Sequence, residues 1–255
     1  MTITLDGQPA LALLLASVRI VAWMAVVPPF SSRSVPAMAK VVLSLGLALA
    51  VAPELADSAI PVDTFGFIVA VVTQVAIGVS MGFVTFLLFA AITTAGALID
   101  TFGGFALAAA YDPLSMNMNT VFGKFQQMLG TMLLFATGGH LIVVGGLLST
   151  FEILPLGGTP DVSNGLGMLT TAMRMFFATA VQIALPMIAV LFLADVGLAL
   201  LTKVAPQLNA INVMFPAKIG LTLLLVGLSF PVLPEAVAQL VELSNEAMAT
   251  IAGAT

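Results

Sequence analysis

The side chains with chemical potential in this sequence stand in unusual company. Arg19, Gln74, His140, Arg174, Gln182 and Asp195 lie inside otherwise apolar stretches, and Asp100 closes another. A charge at the centre of a membrane-spanning helix costs about 2.5 to 3.5 kcal/mol, so such groups face protein or water and find partners. Arg19 or Arg174 could pair with Asp100 or Asp195, and the sequence leaves the choice open. His140 is the only histidine and titrates in the range that suits a proton relay. Its neighbourhood "TGGHLI" offers no carboxylate at helical spacing, so a satisfied packing contact is expected there and at the other intrahelical polar positions. Cysteine is absent, and there is no phosphate-binding G-x-x-x-x-G-K-[ST], no H-E-x-x-H and no G-x-S-x-G. Asp100 and Asp112 could form an acid pair, but no third group completes a site. No enzyme, cofactor or metal is expected.

The elements that must hold these groups are helices in a membrane. Of 255 residues, 60% are hydrophobic and 7% charged, against about 25% charged in ordinary globular proteins. With a net charge of −5 and seven scattered Lys and Arg, the chain has no basic patch, which argues against a nucleic-acid partner. Apolar blocks at about 10–30, 38–56, 66–99, 125–150, 168–202 and 213–233 meet or approach the roughly 20 residues that a crossing needs. The third and fifth exceed one crossing, leaving room for tilt, a break or a hairpin. Prolines cluster at the junctions, and Met1 to Pro9 has Asp6 in place of a positively charged n-region, so no cleavable signal peptide is expected. Arg33, Lys40, Lys203 and Lys218 mark cytoplasmic connections by the positive-inside rule, which for six crossings would put both termini outside.

Packing signals run along the same blocks. Gly78 and Gly82 form G-x-x-x-G, followed by Gly96, Gly103 and Gly104, while Gly138, Gly139, Gly145 and Gly146 mark a second seam; small residues let membrane helices approach closely. Near the C-terminus Glu235, Gln239, Glu242 and Glu246 share a helical stripe, with Val237, Leu240, Val241, Met248 and Ile251 opposite. The acidic stripe argues for a packed or partner-facing helix rather than a lipid-surface one.

Two polar junctions stand out. "APQLNAINVMFPAKIG", 205–220, sets Gln207, Asn209, Asn212 and Lys218 beside Pro206 and Pro216. The prolines are expected to end helices, the amides to satisfy freed backbone groups. Lys218, near a helix start, is badly placed for the helix dipole and so calls for an acidic partner, such as one on a neighbouring subunit; the plain alternative is a cytoplasmic turn with a topogenic lysine. "GGFALAAAYDPLSMNMNTVFG", 103–123, runs from flexible residues through an Asp-Pro turn to Met116 and Met118, unbranched side chains that fill irregular gaps.

Several motifs in order carry a family resemblance. "PQLN" with "FPAK" resembles the C-terminal signature of the FliR family of flagellar export-gate subunits, whose virulence-secretion relatives include SpaR. "RIVAWMAVVPPFSSRSVPAMAKVVLSLGLAL" from Arg19 is similar to the N-terminal pattern of that family. "GVSMGFVTFLLFAAITTAGALIDTFGGFALAAAYDP", from Gly78 to Pro113, is similar to its central block, and "GGH" at 140 and "ALPMIAVLFLADVGLALLTKVAPQLN" to Asn209 also agree. The resemblance covers roughly residues 10 to 235. Gln74 stands where the family often has Glu, and "AINVM" replaces a more aromatic stretch before Phe215.

What the resemblance implies is an all-α, membrane-associated subunit of kinked helical hairpins, one domain over 1–255 with a FliP-like part at about 1–180 and a FliQ-like hairpin with the C-terminal helix at 181–255. It implies assembly with FliP-like and FliQ-like subunits, contact with an FlhB-like subunit, and passage of unfolded flagellar substrates at the bacterial inner membrane within the flagellar basal body. It also implies a pore-gating loop over Phe105, Tyr111, Asp112, Pro113, Met116, Met118 and Asn119, and subunit contacts at Pro206, Gln207, Asn209, Phe215, Pro216 and Lys218. Kinked hairpins packed around a pore would set aside the six-crossing count. A virulence-secretion gate is the near alternative, with "FPAK" leaning flagellar. A secondary transporter or a membrane scaffold would share the broken helices and packing signals, but no inverted repeat accompanies them.

Overall fold

The computed structural model describes residues 7–52, 55, 60, 63–105, 120–158, 162–205 and 210–254, and these contain helices and no strand. In chain order the helices are α1 (Gln8–Met24), α2 (Ala37–Val51), α3 (Thr64–Gly103), α4 (Val121–Ala136), α5 (Gly139–Ile153), α6 (Val162–Val204), α7 (Ala210–Ser229) and α8 (Leu233–Ala252), with a 3-10 turn at Phe230–Val232. Frequent Ala, Leu and Met favour helix, and although β-branched clusters such as Ile68–Val75 do not, in a bilayer the helix satisfies its own backbone. The protein is thus all-α and built for a membrane.

Among the described residues three helical stretches are long and apolar enough to cross: Thr64–Gly103, Leu169–Val204 and Met214–Ala252, or four if α4 and α5 count as one broken span. Helices α1 and α2 have only 17 and 15 residues, which is short against the roughly 20 that a crossing takes. The third and fifth apolar blocks do not break. They form the single helices α3, of 40 residues, and α6, of 43 residues with Pro186 inside it. The fourth block does break, at Gly138, whose φ of 75° is left-handed, a conformation that glycine adopts without steric cost.

The chain divides into two compact units. The first comprises Met1–Leu88, Gly138–Met173 and Leu240–Thr255. Its core includes Leu15, Ile20, Trp23, Ile77, Met81, Leu147, Leu240 and Met248. Here α2 packs on α1 and touches α5. A methyl group on Gly78 would collide with the carbonyl oxygen of Arg19 and the β-carbon of Ala22, and one on Gly82 would lie 3.1 Å from the carbonyl oxygen of Trp23. The G-x-x-x-G pair is therefore where the backbones of α1 and α3 approach each other. Gly146 faces the side chain of Asn245, whereas Gly145 faces open space, so the second seam is one glycine wide at that point.

The second unit comprises Phe89–Thr137 and Arg174–Gln239. Ala95, Ile99, Phe122, Ala184, Met187 and Val226 form its buried cluster. Gly96 lies so close to the start of α4 that an added β-carbon would sit 2.6 Å from the backbone of Gly123. Outward faces of α6 and α7 stay apolar and uncovered, with Leu193 68% and Leu228 69% exposed. Apolar exposure on this scale marks lipid or partner subunits as neighbours. Along α8 the acidic stripe is outward and Val237, Leu240, Val241 and Met248 are buried, as the periodicity predicts.

Candidate functional site

Buried polar groups tie helices together within each unit, and among the described residues they do not pair as arginine with aspartate. Arg19, on α1, is fully buried. Its Nε donates to Gln74 Oε1 of α3 at 2.6 Å, and a terminal nitrogen donates to the carbonyl of Leu154 at 2.9 Å. Gln74 Nε2 in turn donates to the carbonyl of Leu156 at 3.0 Å. The guanidinium carbon stands 4.2 Å from the centroid of the Phe151 ring, a cation–π distance. The rigid fork of arginine lets one side chain join α1, α3 and the chain leaving α5. The cation is met by an amide, a carbonyl and a ring instead of by a carboxylate. Gln74 thus keeps its hydrogen-bonding role without a charge.

Asp100 acts on backbone. It is 2% exposed, one turn before the end of α3, and Oδ2 accepts from the backbone N–H of Phe122 at 2.9 Å and of Gly123 at 3.3 Å. The Thr120 hydroxyl also bonds the carboxylate. Those N–H groups open α4, which has no side-chain cap of its own at Thr120. Free N–H groups and the positive end of the helix dipole both favour an anion there, so Asp100 caps α4 from another helix. Gly96, one turn earlier on α3, permits the approach.

Lys218 finds its acid inside the chain. Its Nζ lies 2.8 Å from Asp195 Oδ1 and donates to Oδ2 at 3.0 Å, joining α7 to α6, with side-chain exposures of 11% and 31%. Neither Asp100 nor Asp195 is paired with an arginine among the described residues, and Arg174 and Gln182 are exposed. The expectation that Pro216 ends a helix is corrected: it lies inside α7. Its ring removes one N–H and frees one carbonyl, a loss that membrane helices absorb through neighbouring groups. Lys218 consequently sits two residues beyond that proline in the body of α7, not at its start.

Of the residues expected to form a gating loop, Phe105 is described and Tyr111, Asp112, Pro113, Met116, Met118 and Asn119 lie outside the described residues, as do Pro206, Gln207 and Asn209. Phe105 meets Phe122 edge to face, 4.9 Å between centroids. Gly104 ends α3 with φ +85°, and the ring of Phe215 lies beside it. Thr222 packs against Gly103. Phe105 and Phe215, read from sequence as belonging to two different sites, therefore flank the same glycine pair. Thr222 and Gln126, buried at 0% and 1%, were not singled out from sequence. Both are uncharged residues in apolar runs, and only an isolated polar position with helical spacing to glycine could have signalled Thr222.

The chain has clear relatives. The family described as "Bacterial export proteins, family 1" matches residues 10–244. The flagellar biosynthetic protein FliR of Escherichia coli (strain K12) is 34% identical over 215 residues, covering 84% of this chain and 82% of that protein. FliR of Pectobacterium carotovorum subsp. carotovorum is 32% identical over 217 residues, 85% and 83% of the two chains. The surface presentation of antigens protein SpaR of Salmonella typhimurium is 29% identical over 196 residues, 76% of this chain and 73% of that one.

Proposed function

This chain belongs to the bacterial export proteins of family 1, and from that premise we propose that it is a subunit of a flagellar type III protein export gate. With FliP-like and FliQ-like subunits it forms a pore for unfolded flagellar proteins in the bacterial inner membrane, at the flagellar basal body, and it contacts an FlhB-like subunit. The observation that carries this reading is the length and level of the FliR match, 34% identity over more than four-fifths of both chains. The uncovered apolar faces of α6 and α7 support assembly with other helices. The match to SpaR favours a virulence-secretion gate as the second reading; its lower identity and the "FPAK" sequence place the flagellar role first.

Within the gate, residues 1–180 act as the FliP-like part and 181–255 as the FliQ-like hairpin with the C-terminal helix, the division falling inside α6. Phe105 through Asn119 form the gating element, and the stretch from Pro206 to Lys218 meets a neighbouring subunit. The Lys218 to Asp195 pair holds that stretch in place within the chain.

Co-expression with FliP-like and FliQ-like partners, followed by mass analysis of the intact particle in mild detergent, tests the assembly. A stable mixed complex with one copy of this chain is expected. A monomer that ignores those partners would overturn the gate and move a solute transporter to the front. Shortening the segment at 106–119 is expected to make the assembled complex leak small ions; unchanged conductance refutes the gating role.

A further inference from the structure

An apolar groove of about 420 Å³ opens in the first unit between α1, α2 and α3, and nothing in the export reading uses it. Its size falls within the roughly 300 to 1,000 Å³ of small-ligand sites. Small side chains make the space: Ser17 and Ala22 on α1, Ala25 just after it and Ser44 on α2, facing Val75 and Val79 on α3. The two hydroxyls are already spent, Ser17 Oγ donating to the carbonyl of Leu14 at 2.7 Å and Ser44 Oγ to that of Val41 at 2.8 Å. The lining therefore presents hydrocarbon and offers no polar anchor, which suits an aliphatic chain.

A cation adjoins this lining in sequence. Val41, Ser44 and Leu45 line the groove from α2, and Lys40 is four residues before Ser44, on the same helix face and one turn nearer the start of α2. Lys40 is half-buried and has no carboxylate partner among the described residues. Arg33 is exposed in the connection just before α2. A long cationic stem can run along apolar surface with its head at the polar boundary. An apolar partner helix laid on this face would cover the Lys40 charge without compensation, which is costly. A phospholipid would instead supply the chain for the groove and the phosphate for Lys40.

We propose that the α1–α2–α3 groove is a binding site for one acyl chain of an anionic phospholipid of the surrounding bilayer, with Lys40, assisted by Arg33, holding the headgroup phosphate. The site needs only that the chain be embedded in a bilayer and stands apart from the residues assigned to export.

Native mass spectrometry of the full chain, released from nanodiscs of phosphatidylglycerol or phosphatidylcholine, tests it. The wild-type chain is expected to retain one phosphatidylglycerol in preference to phosphatidylcholine. Lys40→Gln, which leaves the groove intact, lowers that retention about fivefold, the share of one cation near an anionic headgroup. Ala25→Phe fills the groove from an exposed position and abolishes the adduct. Equal retention of both lipids, or retention unchanged in Lys40→Gln, overturns the proposal. So does a photo-crosslinker at Val79 that captures protein in place of phospholipid in native membranes, since that assigns the groove to a partner helix.

Discussion

Replacing Asp100 separates the acceptor from the charge. Two backbone donors, on Phe122 and Gly123, end on Asp100 Oδ2 in a buried setting. Asp100→Ala leaves both unpaired at about 1 to 3 kcal/mol each, the longer bond at the low end. The lost cap by itself has a typical value of about 1 kcal/mol. Relief of burying a carboxylate, an effective several kcal/mol per ion, and loss of the favourable charge at the helix start, about 0.3 to 1 kcal/mol, are common to Asp100→Ala and Asp100→Asn and cancel in their difference. Asp100→Asn alone keeps an oxygen for the same donors. Asp100→Ala should therefore be less stable than Asp100→Asn by about 3 kcal/mol. Thermal unfolding of the detergent-purified chain followed by helical circular dichroism reads the difference. At about 2 to 4 °C per kcal/mol for a chain of this size class, Asp100→Ala should melt about 6 to 12 °C below Asp100→Asn. A difference below about 1 kcal/mol would mean that the acceptor does not hold α4 in place.

Glycine substitutions should divide sharply by position. Gly96→Ala drives a methyl group into the backbone of Gly123 and is expected to cost about 3 kcal/mol or more with failure of export, while Gly220→Ala, in open space within α7, should be neutral or stabilising by up to about 1 kcal/mol; comparable melting temperatures refute the packing argument. Gln74→Leu removes the acceptor of a buried, charged donor and should cost about 3 kcal/mol, and Arg19→Lys should not restore stability when tested separately, because a point charge cannot span Gln74 and the Leu154 carbonyl. If the lysine variant unfolds like wild type, the fork geometry is irrelevant. For Lys218 and Asp195, the double variant Lys218→Gln with Asp195→Asn should be less damaging than the sum of the singles, since each single leaves a partly buried charge alone; strict additivity of the losses in thermal stability would show that the pair is not coupled.

What the sequence makes legible here is whatever depends on local period and size, and what it hides is whatever depends on which helix lies opposite. The outward stripe from Glu235 to Glu246 and the close approach at Gly78 and Gly82 follow from spacing, because a 3.6-residue repeat and the absence of a β-carbon have the same consequence in any fold that buries the other face. The partners of the buried polar groups do not follow. Arg19 and Asp195 are of opposite sign and both lie in apolar runs, yet the first ends on an amide and a carbonyl, the second on Lys218. A buried charge requires only that something polar face it, and backbone carbonyls and helix N-termini, which are invisible as letters, compete for that place with every carboxylate in the chain. Pro216 teaches the same lesson from the other side. Its ring argues for a helix end in water, where a broken hydrogen bond and a kink compete with solvation of the free chain, but inside apolar surroundings an interrupted helix leaves fewer bare backbone groups than a loop would, and α7 runs on through it. Segment length is overstated for a related reason: hydropathy sees α1 and α2 as approaching membrane length, whereas their helices stop at 17 and 15 residues where the prolines after Met24 and the polar stretch after Val51 take over.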